Sequence, residues 1–148
     1  MKKIFKTIIF LIVFIAPLYF IFTYFAYSYF SNKTDDGNIE HFSNAIDYSN
    51  QAAQISNENH ADLRQKHIDQ IITLYNSAIE EAKKVNIAEL NADLDGFGTH
   101  FQDEFIKGLE LQVEGFNGHD NKKLLQGQIL SDKWGEWYTE NYNQIKKI

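Results

Sequence analysis

The chain has no cysteine and only one proline among its 148 residues. Without cysteine it cannot carry a disulfide, a catalytic thiolate, a cysteine-ligated zinc ion or a c-type haem. The one proline, Pro17, lies near the N-terminus, so no proline interrupts helices in the rest of the chain. The fold must therefore rely on its hydrophobic core, which a chain of this length can supply.

The motifs that identify common enzymes and metal centres are also missing. The sequence contains no Gly-x-Ser-x-Gly elbow, no His-Glu-x-x-His zinc motif and no Glu-x-x-His pair of the kind that di-iron bundles use. We therefore expect a protein that is not an enzyme and that needs no cofactor.

Charged residues are absent from Thr7 to Asn32, and the stretch from Ile8 to Phe22 is almost purely apolar. A helix needs about 20 apolar residues to cross the hydrocarbon core of a bilayer. The stretch predicts a transmembrane helix at residues 7–30, in which Pro17 is acceptable because membrane helices tolerate proline. Residues 1–6 then form a basic N-terminus and residues 31–37 a polar linker.

The lysines around this stretch predict its orientation. Lys2, Lys3 and Lys6 precede it, and the excess of positive charge on that side places the N-terminus in the cytoplasm. We expect an uncleaved signal anchor in a bacterial inner membrane, with the C-terminal domain in the periplasm of a Gram-negative host. The alternative is a signal peptide cleaved after Ser28, because Ala26-Tyr27-Ser28 has small residues at the required spacing.

The part of the chain beyond the apolar stretch is acidic. All 20 Asp and Glu residues follow Asn32, together with 11 of the 14 Lys and Arg residues, which is an excess of nine negative charges. Such a surface repels nucleic acid and anionic lipid. We therefore expect no nucleic-acid partner, and we expect a protein of the cell envelope instead.

Helical spacing of apolar residues recurs through the exported part, and no segment alternates as a strand would. The pattern predicts one domain, residues 38–148, with helices at about 39–56, 61–90, from Thr99 to just before Gly118, and 120–145. Asn38 is the expected N-cap of the first helix, and Thr99 with Gln102 has the spacing of a capping box. Short connections favour antiparallel neighbours, so we predict an all-α fold: the membrane helix followed by an up-down four-helix bundle.

The loop before the third helix resembles the calcium-binding loop of EF-hand proteins over twelve residues. Asn91, Asp93 and Asp95 occupy the first, third and fifth positions, where oxygen ligands are needed, and Gly96 follows at the sharp turn. The resemblance ends at the twelfth position, where Gln102 replaces the bidentate Glu. We predict an acidic turn without metal, with Asn91, Asp93 and Asp95 as the alternative calcium ligands.

Three histidines need a separate interpretation. His60 and His67 are seven residues apart, the spacing at which two side chains of one continuous helix could share a metal or a pH switch. His100 is one helical turn from Asp103 and Glu104, an arrangement that could orient an acid/base pair. We favour surface histidines at positions 60 and 67, because no metal motif accompanies them. We expect His100 in the first turn of the third helix, where Asp103 and Glu104 interact favourably with the helix N-terminus.

Aromatic residues concentrate in the last helix, in the run Trp134-Gly-Glu-Trp137-Tyr138. The run continues the apolar stripe of that helix, so we expect it to anchor the core, with Leu130, Trp134 and Tyr138 inside and Trp137 nearer the edge. The alternative is an exposed interaction site, because Trp and Tyr dominate interface energetics. Trp134, Trp137 and Tyr138 are therefore the candidate ligand- or partner-binding residues.

The architecture favours a single-pass, membrane-anchored helical module that binds another envelope protein, in an accessory, inhibitor or immunity-type role. The alternative is a sensor-like helical bundle that binds a small molecule, since aromatic residues also line ligand pockets in bundles. Such a sensor could act only through a partner, because few residues remain inside the cell. A stoichiometric partner would favour the first hypothesis, and a retained small molecule the second.

Overall fold

The computed structural model describes residues 36–59 and 62–145. Within these ranges the chain is all-α and bundle-like, as predicted, with five helices and no strand. Four of the helices are α1 (Asp36–Glu58), α2 (Gln65–Ala82), α3 (Ile87–Asp93) and α5 (Asn121–Ile145). The remaining helix, α4, lies between α3 and α5 and consists of three consecutive segments: α-helical Phe97–His100, π-helical Phe101–Ile106 and α-helical Lys107–Gly118.

Several predictions concern other parts of the chain. The basic N-terminus at 1–6, the membrane helix at 7–30 and His60 lie outside the described residues, as does most of the predicted linker 31–37. Helix α1 already begins at Asp36, within that linker. Across 36–59 and 62–145, no helix combines the length and the apolar character that crossing a bilayer requires.

The predicted helix at 61–90 is wrong, because the structure divides it into α2 and α3. The chain turns after Ala82, and Asn86 starts α3 by accepting a hydrogen bond from the backbone N–H of Glu89 at 3.3 Å. Asn38, the expected N-cap of the first helix, lies inside α1 instead. Its side-chain oxygen accepts a hydrogen bond from the backbone N–H of Asn86, so it ties the start of α1 to the start of α3.

Helices α1 and α2 form an antiparallel hairpin. His41 Nδ1, near the start of α1, lies 2.7 Å from the Glu81 carboxylate, near the end of α2. Hydrogen bonds from Lys84 and His41 lower the pKa of Glu81. Four alanines, two on each helix, are fully buried: Ala45, Ala52, Ala78 and Ala82. Their small side chains allow the two backbones to approach closely.

The π-helical segment of α4 lies within a row of buried residues that recur at every fourth position. Phe97, Phe101, Phe105 and Leu109 are buried and recur at every fourth position. In an α-helix of 3.6 residues per turn this row would drift by about 40° per step. The wider π turn takes in more residues and reduces the drift, so that the row keeps facing the core.

Glycines set the distance between α4 and α5, which form the second hairpin. A Cβ atom on Gly127 would lie 2.6 Å from the carbonyl oxygen of Gly108, and one on Gly115 would lie 2.8 Å from the backbone nitrogen of Leu124. Both contacts are with backbone, which cannot move aside without shifting a helix. The hairpin therefore requires glycine at these helical positions.

A buried chain of hydrogen bonds connects α2, α4 and α5. The Tyr75 hydroxyl donates to Gln112 Oε1 at 3.3 Å, and Gln112 Nε2 donates to Ser131 Oγ at 3.0 Å. Burial raises the pKa of Tyr75 to about 12, so its hydroxyl stays protonated at neutral pH. Gln112 is only 3% exposed, whereas its apolar neighbour Val113 is half-buried.

Candidate functional site

Trp134 is the centre of an aromatic cluster that joins α1, α4 and α5. Its side chain is 1% exposed, as expected for a residue of the inner face. Its ring centroid lies between 5.4 and 6.5 Å from those of six other aromatic rings. The aromatic cluster comprises Trp134 with Phe42, Phe97, Phe101, Phe105, Trp137 and Tyr138.

Trp137 brings this cluster to the surface. It is half-buried, and its ring stacks on His100 with a centroid distance of 4.6 Å and on Phe97 at 5.7 Å. His100 Nδ1 lies 2.9 Å from the carboxylate of Glu104, which fixes the orientation of the imidazole. We call Trp137, His100 and Glu104 the Trp137 edge. It holds a large aromatic ring in one orientation, as a binding contact requires.

Tyr138 follows Trp137 on α5 and contacts the opposite end of the aromatic run, away from His100 in the ring contacts that it makes. It is half-buried and contacts the rings of Trp134 at 5.4 Å and Tyr142 at 6.3 Å. Burial raises the pKa of Tyr138, with a further contribution from the neighbouring Tyr142. At neutral pH this residue is therefore an uncharged phenol within the aromatic stripe. The three candidate binding residues thus divide into one interior and two half-buried side chains.

The calcium-loop-like segment has a structural role in which its first residue is already engaged. Asn91 Oδ1 accepts a hydrogen bond from the backbone N–H of Thr99 at 3.2 Å, and Asn91 Nδ2 donates to Thr99 Oγ1 at 3.3 Å. Asp93 and Asp95 are exposed. Among residues 36–59 and 62–145, no three His, Asp or Glu side chains are placed to hold a metal ion together.

The expected capping box at Thr99 is wrong. Helix α4 begins at Phe97, and its N-cap is Gly96, whose φ of 79° is the left-handed conformation that glycine adopts most readily. Asn91 supplies the polar cap from the preceding helix, as its bond to the Thr99 N–H shows. The earlier start adds Phe97 to the core, and the Phe97 ring stacks on Trp137.

The remaining histidines occupy two different environments. His67 is buried near the start of α2, where its Nδ1 accepts a hydrogen bond from the backbone N–H of Arg64 at 3.4 Å. The expectation of a surface residue is wrong for His67. Of the two carboxylates one turn from His100, the structure pairs Glu104 with the imidazole. The imidazole ring also packs against Trp137. Sequence spacing gave no signal for that stack.

Comparisons with known proteins yield no significant match to any family, curated protein or solved structure.

Proposed function

We propose that the protein is a single-pass, membrane-anchored helical module that binds another protein of the cell envelope through the Trp137 edge. In this proposal residues 7–30 span a bacterial inner membrane with the N-terminus in the cytoplasm. Residues 38–148 form a periplasmic domain, an antiparallel up-down four-helix bundle made of α1, α2, α4 and α5, with α3 as a short connecting helix. The role is that of an accessory, inhibitor or immunity-type protein, without catalysis.

The observation that carries the proposal is the position of Trp137. Interface hot spots are enriched in Trp, which combines a large apolar ring with a polar N–H. Trp137 is half-buried, and stacking on His100 and Phe97 holds it in place before any partner arrives. Preorganisation of this kind lowers the entropy cost of binding.

The charge of the domain favours a basic partner surface. The chain beyond Asn32 carries nine more acidic than basic side chains. Glu104, Glu136 and Glu140 belong to the same region of α4 and α5 as Trp137, and Glu136 and Glu140 are exposed. Complementary charge at the rim accelerates association and selects among partners. We therefore expect Lys or Arg around the pocket that receives Trp137.

A photo-crosslinking amino acid at Glu140, one turn from Trp137, tests the proposed surface in the intact membrane of the host. The same amino acid at Gln126, an exposed position earlier on α5, is the matched control. The proposal predicts one dominant adduct of fixed mass from position 140 and none from 126. Equal labelling at both positions, or no adduct at 140, would contradict it.

The anchor has its own test. Protease added to spheroplasts should remove most of the chain, because the domain is proposed to face outward. A mature N-terminus at Tyr29, found by mass spectrometry, would instead establish a cleaved signal peptide.

A sensor-like, small-molecule-binding role is the second candidate. A cleft between α2 and α4 favours it, with a volume of about 570 Å³. Ligand pockets commonly measure about 300–1,000 Å³.

A further inference from the structure

The cleft between the end of α2 and the middle of α4 combines an apolar floor with a charged rim. Its floor is formed by Ala82, Val85, Ile87 and Ile106, of which Ala82, Val85 and Ile106 are at most 8% exposed. The rim carries five polar or charged side chains: Lys83, Gln102, Asp103, Lys107 and Glu110. None of these residues belongs to the Trp137 edge, so the cleft is a separate candidate site.

Two lysines of the rim converge on one carboxylate. Glu110 lies 2.8 Å from Lys83 Nζ and 3.9 Å from Lys107 Nζ. The carboxylate of Glu110 therefore marks a place where two ammonium groups receive an anion. Both lysine side chains are more than half exposed, at 59% and 55%. Exposed ion pairs of this kind contribute little to stability, so the lysines can turn to another anion at small cost.

The wall of the cleft includes the π-helical segment of α4. Gln102, Asp103 and Ile106 all belong to Phe101–Ile106. Single π turns within α-helices are frequent at functional sites. Here the π turn serves the aromatic row of the core on one side. On the other side it contributes Ile106 to the floor of the cleft and Gln102 and Asp103 to its rim.

We propose that this cleft binds a small amphiphile with a single anionic head, such as an aryl sulfonate or carboxylate. The head is received by Lys83 and Lys107, and the apolar body lies against Val85, Ile87 and Ile106. Asp103 and Glu110 balance the charge of the two lysines, so the head must compete with the Glu110 carboxylate for them. The site does not depend on the proposed protein-binding function.

The test uses the full chain in nanodiscs of zwitterionic lipid, titrated with 2-naphthalenesulfonate in a calorimeter, with empty discs as the blank. We expect saturable binding of one molecule per chain. Lys83→Gln and Lys107→Gln should each weaken binding about fivefold, the loss expected for one partly exposed charge contact. Glu110→Gln should strengthen binding, because it removes the anion that competes for both lysines.

Two controls separate this site from general charge effects. Lys66→Gln and Lys133→Gln remove exposed lysines outside the cleft and should leave the affinity unchanged. The neutral analogue 2-naphthalenemethanol should bind more weakly than the sulfonate. In the unmutated protein, methyl NMR signals of Val85 and Ile106 should shift on titration, which locates the probe without any variant.

The proposal is overturned if the probe shows no saturable binding, or if Lys83→Gln and Lys107→Gln bind it as tightly as the unmutated chain. Weaker binding by Glu110→Gln would also overturn it, since Glu110 would then be a ligand contact and not a competitor. Any of these outcomes would leave the crosslinking result at position 140 unaffected, so this proposal and the proposed protein-binding function can fail separately.

Discussion

Replacing Trp134 by alanine should remove the centre of the aromatic cluster. The ring is 1% exposed and packs against six aromatic rings contributed by three helices. Truncating a buried Trp of this kind costs about 3–5 kcal/mol. A domain of this size has a free energy of unfolding of about 5–15 kcal/mol, so the substitution removes a large part of the stability of the fold. At about 4 °C per kcal/mol, the melting temperature should fall by about 12–20 °C.

Trp137→Ala is the matched comparison, since the two residues are one turn apart on α5. Removing its half-buried ring should lower the free energy of unfolding by about 1–2 kcal/mol, within the range of ordinary substitutions. Thermal melts followed by circular dichroism at 222 nm, on the full chain in detergent, measure both variants. Equal and severe losses would refute the division between an interior Trp134 and a surface Trp137. They would place the whole aromatic run in the core.

Three further substitutions test the packing and the electrostatics. Gly127→Ala should destabilise the fold by about 1–2 kcal/mol, because a clash with the backbone of α4 outweighs the gain in helix propensity. Gly37→Ala, which has open space around it, should be neutral or stabilising, and denaturant melts compare the two variants. Tyr75→Phe should cost about 1–3 kcal/mol in the same assay, because it leaves the buried Gln112 oxygen without its donor. Glu81 has a lowered pKa, so its ionised form stabilises the fold above the ordinary carboxyl value of 4.5, and this contribution is lost as the pH falls through the lowered pKa. The melting temperature of Glu81→Gln should therefore lie below that of the unmutated chain at pH 7, and the difference should shrink as the pH falls below 4.5. A difference that stays constant over this range would contradict the linkage.

Most helices could be predicted because each buries one face, and a buried face leaves a periodic pattern. The last helix, expected at 120–145, is observed at Asn121–Ile145. The break between α2 and α3 was missed because no glycine or proline marks it. A signal was present, since Asn86 precedes Glu89 by the three residues typical of a helix start. The connection from Asn38 to Asn86 spans 48 residues, and no local pattern reveals such a contact.

Helix-interior glycines were harder to interpret from the sequence than from the structure. A glycine in a helical pattern usually lowers confidence in the helix, because it costs about 1 kcal/mol relative to alanine. In α4 and α5, Gly108, Gly115 and Gly127 lie within continuous helices and allow close packing. Their role becomes visible only when the partner helix is known, since the clash of an added Cβ is with atoms from the other helix.

The candidate site could be predicted in part. The helical stripe through Leu130 and Trp134 indicated which tryptophan is interior. It could not indicate what covers Trp137, because Phe97 and His100 come from a different helix whose start was expected two residues later. The side-chain pair formed by Lys83 and Glu110 is likewise non-local, so the cleft had no signature in the sequence.

Quantitative copurification shows whether the Trp137 edge binds an envelope protein. The full chain is purified from host membranes in mild detergent beside Trp137→Ala and Leu125→Ala, the latter truncating an exposed apolar residue elsewhere on α5. We expect one stoichiometric partner that is retained by the unmutated chain and by Leu125→Ala, and lost from a folded Trp137→Ala. Retention of that partner by Trp137→Ala, or the absence of any stoichiometric partner, would contradict it.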